Sequence, residues 1–176
     1  SMLTIIYPDD PSTEFLSPIV VAMAECFTGD ELKLIRVGQE SEYGLVKDAI
    51  RSDESNLLLF LGHGTPQYLF GGCDEKGVKT PFFSVNDLKL LENKNVVFLS
   101  CHSAELLKKS PIICNAIKAV GFGLLPSEEK EFENVKKLKA LAFDADDIVN
   151  VRLLIVTSMI YSLKRFYESE SFSVDT

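Results

Sequence analysis

Two apolar runs dominate the pattern along the chain. Residues 56–64 read Asn-Leu-Leu-Leu-Phe-Leu-Gly-His-Gly, an unbroken apolar stretch that stops at a histidine between two glycines. Residues 95–104 read Asn-Val-Val-Phe-Leu-Ser-Cys-His-Ser-Ala and stop at a cysteine. Apolar side chains at consecutive rather than alternate positions predict strands buried on both faces, as in a parallel sheet.

The rest of the chain alternates strand and helix. Residues 3–7 form a first strand, ended by the turn chemistry of Pro8-Asp9-Asp10-Pro11. Ser12 or Thr13 opens a helix through Phe27, with Phe15, Ile19, Met23 and Phe27 on one face, and Gly29-Asp30 closes it. Residues 32–37 alternate as a second strand. A helix from Ser41 or Glu42 to near Arg51 carries Leu45, Val46, Ala49 and Ile50. Residues 65–81 are irregular, with Gly71, Gly72 and Gly77 between Tyr68-Leu69-Phe70 and Phe82-Phe83, and predict a small hairpin or a mobile loop. Ser84 caps a short helix over 85–91, before the strand at 96–99.

Beyond Cys101 a helix begins near Ser103, is punctuated by Pro111 and continues over 112–117. Residues 119–125 give a fifth strand. Residues 128–143 and 146–167 read as helices, although Leu153-Leu154-Ile155-Val156 alone has the look of a strand. This order predicts an α/β fold: a three-layer sandwich whose largely parallel sheet carries helices on both faces. One domain spans 2–168, and 169–176 form a flexible tail. Ligands of such sheets gather at the carboxyl ends of the strands. Asp9, Asp10, His63, Ser100 and Cys101 all fall there.

Composition narrows the choice of partner. A chain of 176 residues, 46% apolar and 25% charged, has the make-up of an ordinary soluble domain. Its net charge is −8 and no Lys/Arg cluster stands out; Lys136, Lys137 and Lys139 lie among Glu128, Glu129, Glu131 and Glu133. Nucleic acid is therefore a poor candidate for a partner, and none is expected. No apolar run approaches the ~20 residues of a membrane span; 148–160 is interrupted by Asn150 and Arg152. Cys26, Cys73, Cys101 and Cys114 show no Cys-x-x-Cys pair and no zinc-ligand spacing. With no signal peptide evident, they predict free thiols in a reducing, cytoplasmic setting. Ser1 before Met2 reads as a cloning remnant.

A thiol attacks a carbonyl as its thiolate, and a neighbouring imidazole favours that state. The chain has two histidines, His63 and His102, both at strand ends. His63 fits the acid/base role. His102 follows Cys101 directly, which turns its side chain away from the thiol. Backbone N–H groups of Gly64 and Cys101 are candidate oxyanion donors. Taken singly, a cysteine after a strand is commonly a small buried residue, and a strand-end histidine is commonly incidental. Their joint placement on consecutive sheet strands is the stronger signal.

Leu-Leu-Leu-Phe-Leu-Gly-His-Gly followed by Val-Val-Phe-Leu-Ser-Cys-His-Ser-Ala resembles the two catalytic blocks of the caspase-like cysteine peptidases. That clan includes caspases, metacaspases, separases, gingipains and bacterial CHAT domains. The Ser-Cys-His-Ser-Ala ending, with Ala119-Val-Gly-Phe-Gly123 after it, is most similar to the CHAT type. The likeness covers 57–126 in motif and 3–126 in element order. It implies a cysteine endopeptidase acting on a protein or peptide, with Cys101 as nucleophile, His63 as base, and Gly64 and Cys101 as oxyanion donors. It implies no metal or other cofactor, although calcium activates some metacaspase-like relatives. It also implies restraint by a regulatory protein partner or an activation step, in a setting such as bacterial defence.

The caspase Gln-Ala-Cys-x-Gly block is absent, so aspartate-directed cleavage is not implied. No third catalytic residue is evident. In this clan the histidine is oriented by backbone or by an acidic residue near the first strand, a place open to Asp9 or Asp10. Either could instead line a pocket for an Arg or Lys side chain, and Pro-Asp-Asp-Pro is also an ordinary strand-end turn. Lys76 and Lys79 make the glycine-rich loop a candidate self-cleavage segment. Cys73 reads as an exposed loop thiol, Cys26 and Cys114 as core.

Three other readings fail on particular residues. A phosphoacceptor receiver domain needs an aspartate where His63 stands. A dinucleotide site needs x-x-Gly after Gly62-His63-Gly64, and a serine-hydrolase elbow needs glycines that Ser100 lacks. The serious rival is a catalytically inactive caspase-like fold serving as a protein-interaction module.

Overall fold

Strand β3 (Leu57–Leu61) is buried at every position, as is strand β1 (Leu3–Pro8). In the computed structural model, which describes residues 1–109, 116–128 and 144–174 (171–174 by backbone alone), these two strands lie side by side. With β2 (Leu32–Val37), β6 (Asn95–Leu99) and β7 (Lys118–Gly121) they form a five-stranded sheet in the order β2-β1-β3-β6-β7. Every neighbouring pair is parallel. The fold is thus α/β, and its strand order places the doubly wound switch point between β1 and β3.

The chain divides into two compact units, Ser1–Glu14 with Phe27–Leu124, and Phe15–Cys26 with Leu125–Thr176. Among the described residues, all the strands lie in the first. Its register runs Leu3↔Leu57 through Ile6↔Phe60 between β1 and β3, and Leu58↔Val96 through Leu61↔Leu99 between β3 and β6. Phe98 on β6 meets the Phe60 ring edge-on at 6.0 Å and the Phe83 ring at 5.7 Å. Such aromatic contacts add about 0.5–1.5 kcal/mol each beyond their buried area.

Of the two forms expected for residues 65–81, the structure shows the hairpin. Strands β4 (Tyr68–Cys73) and β5 (Lys79–Ser84) form a separate antiparallel hairpin. Its connection is tied by Asp74 Oδ1, which accepts from the Lys76 and Val78 amides at 2.8 Å. Gly71 and Gly72 serve close approach. A Cβ on Gly71 would overlap the Tyr43 ring, and one on Gly72 would lie 2.7 Å from the Val37 carbonyl oxygen and 2.8 Å from that of Gly38. Gly72 N–H donates to Gly38 O at 3.0 Å and Cys73 N–H to Asp9 O at 2.9 Å. The hairpin is thereby laid against the carboxyl ends of β1 and β2.

Helix α2 (Tyr43–Arg51) buries Tyr43, Val46 and Ile50. Leu45, expected in its core face, is 76% exposed. Tyr43 fills the interior instead, and its hydroxyl pairs with Thr80 Oγ1 at 2.8 Å. Residues 85–91 form a 3-10 helix whose start is fixed by Asp87 Oδ2, which accepts from both Ser84 N–H and Ser84 Oγ. Helix α3 (Ser103–Lys108) follows Cys101. Ile117, expected in a helix, lies in the bend before β7, its N–H held by the Lys94 carbonyl at 2.8 Å. Strand β7 stops at Gly121, short of the expected Leu125, because the chain turns there to meet α3; a Cβ on Gly121 would stand 2.7 Å from Ala104 Cα.

The second unit contains α1 (Ser17–Cys26) and α4 (Ala145–Val174). A 3-10 turn over Pro11–Leu16 precedes α1, so the helix expected from Ser12 or Thr13 starts late. Pro18 sits in its first turn, where a missing N–H is tolerated. Asp144 Oδ1 caps α4 by accepting from the Asp146 and Asp147 amides at 2.9 and 3.0 Å. Leu153–Val156 lies inside α4, which settles the strand-or-helix ambiguity, and α4 runs on to Val174 through most of the expected tail. Arg152 lies over the Phe15 ring at 4.9 Å and donates to the Ser127 carbonyl at 2.7 Å. The expected helices over 112–115 and 129–143, and Cys114 with them, lie outside the described residues. Among the described residues no helix is long and apolar enough to cross a membrane.

Gly71→Ala tests the reading of the hairpin glycines. The new methyl must displace the Tyr43 ring, and the expected loss is about 1–3 kcal/mol, as for other overpacked interiors. Urea denaturation measures it. An unchanged midpoint would show that the hairpin yields without cost.

Candidate active site

The register of β3 against β6 governs this edge. Leu61 pairs with Leu99, and the ladder continues past the strands as Gly62 N–H donates to Leu99 O at 3.3 Å. His63 and Cys101 each follow two residues after that last pair, at neighbouring strand ends. The His63 side chain is 16% exposed and Cys101 is 9% exposed, so both lie just inside the surface. A Cβ on Gly64 would stand 2.8 Å from the Cys101 carbonyl oxygen and 2.8 Å from Ser100 Oγ. The two backbones touch here, which only glycine permits.

Gly64 also forms an isolated antiparallel bridge with Leu69. That bridge is built from Phe70 N–H to His63 O at 3.0 Å and Thr65 N–H to Tyr68 O at 2.8 Å. Its ladder therefore makes no use of the Gly64 N–H, which suits a donor to a bound oxyanion.

After Cys101 the chain turns sharply. His102 adopts the left-handed conformation (φ 57°, ψ 13°), which few non-glycine residues enter and histidine enters more readily than most, and its N–H donates to Gly123 O at 2.8 Å. Ser103 secures the turn. Its Oγ lies 2.7 Å from the Phe98 carbonyl and 2.9 Å from that of Ser100, and accepts from the Phe122 N–H at 2.9 Å. The His102 ring turns instead to Glu105, with Nδ1 at 2.8 Å from Oε1. Ser100 Oγ, on a residue only 2% exposed, has no hydrogen-bond partner among the described residues.

His63 is held from the turn that follows the first strand. Its Nε2 lies 2.7 Å from Ser12 Oγ and 3.7 Å from Asp10 Oδ2. Ser12 Oγ donates to Asp10 Oδ1 at 2.7 Å, and the Ser12 N–H donates to the same oxygen at 2.9 Å. From the hairpin, Lys79 Nζ donates to Asp10 Oδ2 at 2.7 Å and to Ser12 Oγ at 3.2 Å. The Asp10 side chain is only 4% exposed. Burial pushes its carboxyl up, but the hydrogen bonds from Lys79 and Ser12 and the Lys79 charge outweigh it and lower the pKa from 3.8 to about 2. Asp10 is an anion at neutral pH. Asp9 goes elsewhere: it pairs with Arg36, whose guanidinium lies 4.2 Å over the Tyr7 ring. Of the two aspartates, Asp10 alone reaches His63.

A cleft of about 680 Å³ opens beside this network, lined among others by Asp9, Glu14, Arg36, Cys73 and Glu75. Cys73 lies in β4, half-buried, rather than in an exposed loop. Burial first, then the hydrogen bond to Asp10 and its charge, push the Cys73 thiol up. Among the described residues no group of three or more histidine, cysteine or acidic side chains is arranged to hold a metal ion.

Ser12 and Lys79 are the residues whose place at this site the sequence did not disclose. Asp-x-Ser predicts the local turn in which Ser12 bonds Asp10, but nothing local signals a contact with a histidine far along the chain. No protein-family model matches this chain, and no curated protein matches its sequence.

The depressed Asp10 pKa has a signed consequence. The unfolded chain takes up this proton near 3.8 and the folded one near 2. The stability Asp10 contributes is therefore complete above the unfolded value and is lost as pH falls through about 2. Urea midpoints measured from about pH 5 downward should fall more steeply for the wild type than for Asp10→Asn. Parallel slopes would remove Asp10 from the acid response.

Proposed function

We propose that the protein is a caspase-like cysteine endopeptidase of three-layer sandwich architecture, with Cys101 and His63 as its catalytic dyad. The observation that carries this reading is the β3–β6 register. It brings the ends of two buried strands together, with the Gly64 backbone against the Cys101 carbonyl and the His63 ring tethered to Ser12.

In the proposed reaction His63 takes the Cys101 proton and the thiolate adds to the carbonyl carbon of the scissile peptide. The resulting oxyanion accepts from the Gly64 and Cys101 N–H groups. His63 then gives its proton to the departing amine, the C–N bond breaks and a thioester remains. Water, losing a proton to His63, displaces the Cys101 sulfur as the carboxylic acid product leaves and the thiol is restored. None of these steps requires a metal. The cleft beside Asp10 carries Glu14, Asp74 and Glu75 besides the Asp9–Arg36 pair, an acidic excess that in this reading favours a basic substrate side chain before the scissile bond. A regulatory protein or activation step would restrain such an enzyme.

Cys73 is the obvious competitor for a thiol reagent, and burial together with the Asp10 anion beside it disfavours its thiolate. A peptidyl acyloxymethyl ketone should therefore label the wild type and Cys73→Ser, and fail with Cys101→Ala and His63→Ala. Peptide cleavage by His63→Ala should fall about 10²–10⁴-fold, the usual worth of a general acid–base group. In a peptide library, Arg or Lys should be preferred before the cleaved bond. If no labelling and no cleavage occur under any activating condition, the interaction-module reading stands in its place.

A further inference from the structure

The hydroxyl of Ser12 has three polar neighbours: Asp10 Oδ1 at 2.7 Å, His63 Nε2 at 2.7 Å and Lys79 Nζ at 3.2 Å. A serine hydroxyl offers one proton and two lone pairs. An ammonium only donates, so Lys79 takes one lone pair. An ionised carboxylate only accepts, so Asp10 Oδ1 must receive the one hydroxyl proton. Were that proton turned to His63 instead, two acceptor oxygens would face each other at 2.7 Å with nothing between them. What remains for His63 is the second lone pair.

We infer that Ser12 is a positioning residue that fixes the tautomer of His63, keeping a proton on Nε2 so that Nδ1 is the ring nitrogen that exchanges protons. The geometry fills the capacity of the hydroxyl completely: one proton given, two accepted. Asp10 sets the direction of the hydroxyl and Lys79 holds Asp10 charged, so the order of the relay is Lys79, Asp10, Ser12, His63. The Nε2 proton stays in place whether the ring is neutral or an imidazolium, since both forms donate to the same lone pair. Only Nδ1 changes state. The device links the first strand, the third strand and the hairpin, which arrive from three distant parts of the chain. Its catalytic meaning rests on the peptidase reading, in which Nδ1 would serve Cys101.

The ring nitrogens report the tautomer directly. The chain has two histidines, so ¹⁵N-histidine labelling gives two rings, and His102→Asn identifies which is His63. At a pH where the ring is neutral, the wild type should show a protonated-type shift at Nε2 and a lone-pair-type shift at Nδ1. Ser12→Thr keeps a hydroxyl and should keep that pattern. Ser12→Ala should lose it, with both nitrogens moving toward the averaged positions of a tautomer mixture, and should lower kcat more than it alters KM.

A wild-type ring protonated at Nδ1 overturns the inference, as does a Ser12→Ala spectrum identical to the wild type. The wild-type spectrum decides by itself should Ser12→Ala not fold. Because the spectrum needs no turnover, the two readings separate. Failure of labelling at Cys101 removes the peptidase and leaves the tautomer; an Nδ1–H tautomer removes the relay and leaves the labelling intact.

Discussion

The alignment of β3 with β6 is the constraint on which the rest of the site depends. Apart from Asn95 at the start of β6 both strands consist of apolar residues, so burial alone would tolerate a one-residue slip between them. A slip would set Cys101 beside Gly62 or Gly64 rather than level with His63. The aromatic contacts of Phe98 with Phe60 and Phe83 distinguish the registers, because large rings on facing positions interlock at one alignment. Gly64 adds a second constraint. Its missing side chain is what lets the turn after β3 rest on the Cys101 carbonyl.

The hairpin completes the edge by supplying a cation to a buried anion. A carboxylate as enclosed as Asp10 is costly unless its charge is compensated and its lone pairs are filled. Lys79 and Ser12 do both. The side chain of Lys79 can reach because Gly71 and Gly72 allow the hairpin to lie directly on Tyr43 and on the β2 end. Small residues in one strand thus determine where a charge in the next one arrives. The 3-10 helix anchored at Ser84 and Asp87 fixes the far end of the same strand.

Much of the fold was legible because its signals are local. Leu32–Val37 has the limits read from its sequence, β1, β3 and β6 differ from theirs by one residue, and all of them end in turn chemistry. Where the reading departed from the structure, a distant partner decided the matter. Leu45 has the right spacing for a core face, but Tyr43 occupies the space because Thr80 and the hairpin lie there. Gly71 and Gly72 suggested looseness, whereas their neighbours require absence of bulk. Strand β7 ends early because Gly121 meets α3. His63, Gly64 and Cys101 were nameable as candidates from two short blocks, and the register sets them at neighbouring strand ends. Asp10 was one of two indistinguishable aspartates until Arg36 claimed the other.

The Asp10–Lys79 pair bears on what His63 can receive from its surroundings. A carboxylate facing an imidazole alone would act on it mainly as a negative charge. Here the Lys79 ammonium sits closer to Asp10 Oδ2 than the ring does, at 2.7 Å against 3.7 Å. The net charge of the pair is zero, so its influence on the ring falls off quickly and is passed on chiefly through the Ser12 hydroxyl. That is a directional influence, sensitive to which atom carries which proton. A charge-balanced pair joined to the histidine by one hydroxyl therefore acts on it through direction. It does so at the switch point of the sheet, where the chain ends of β1 and β3 leave room for a polar network without interrupting the apolar core below.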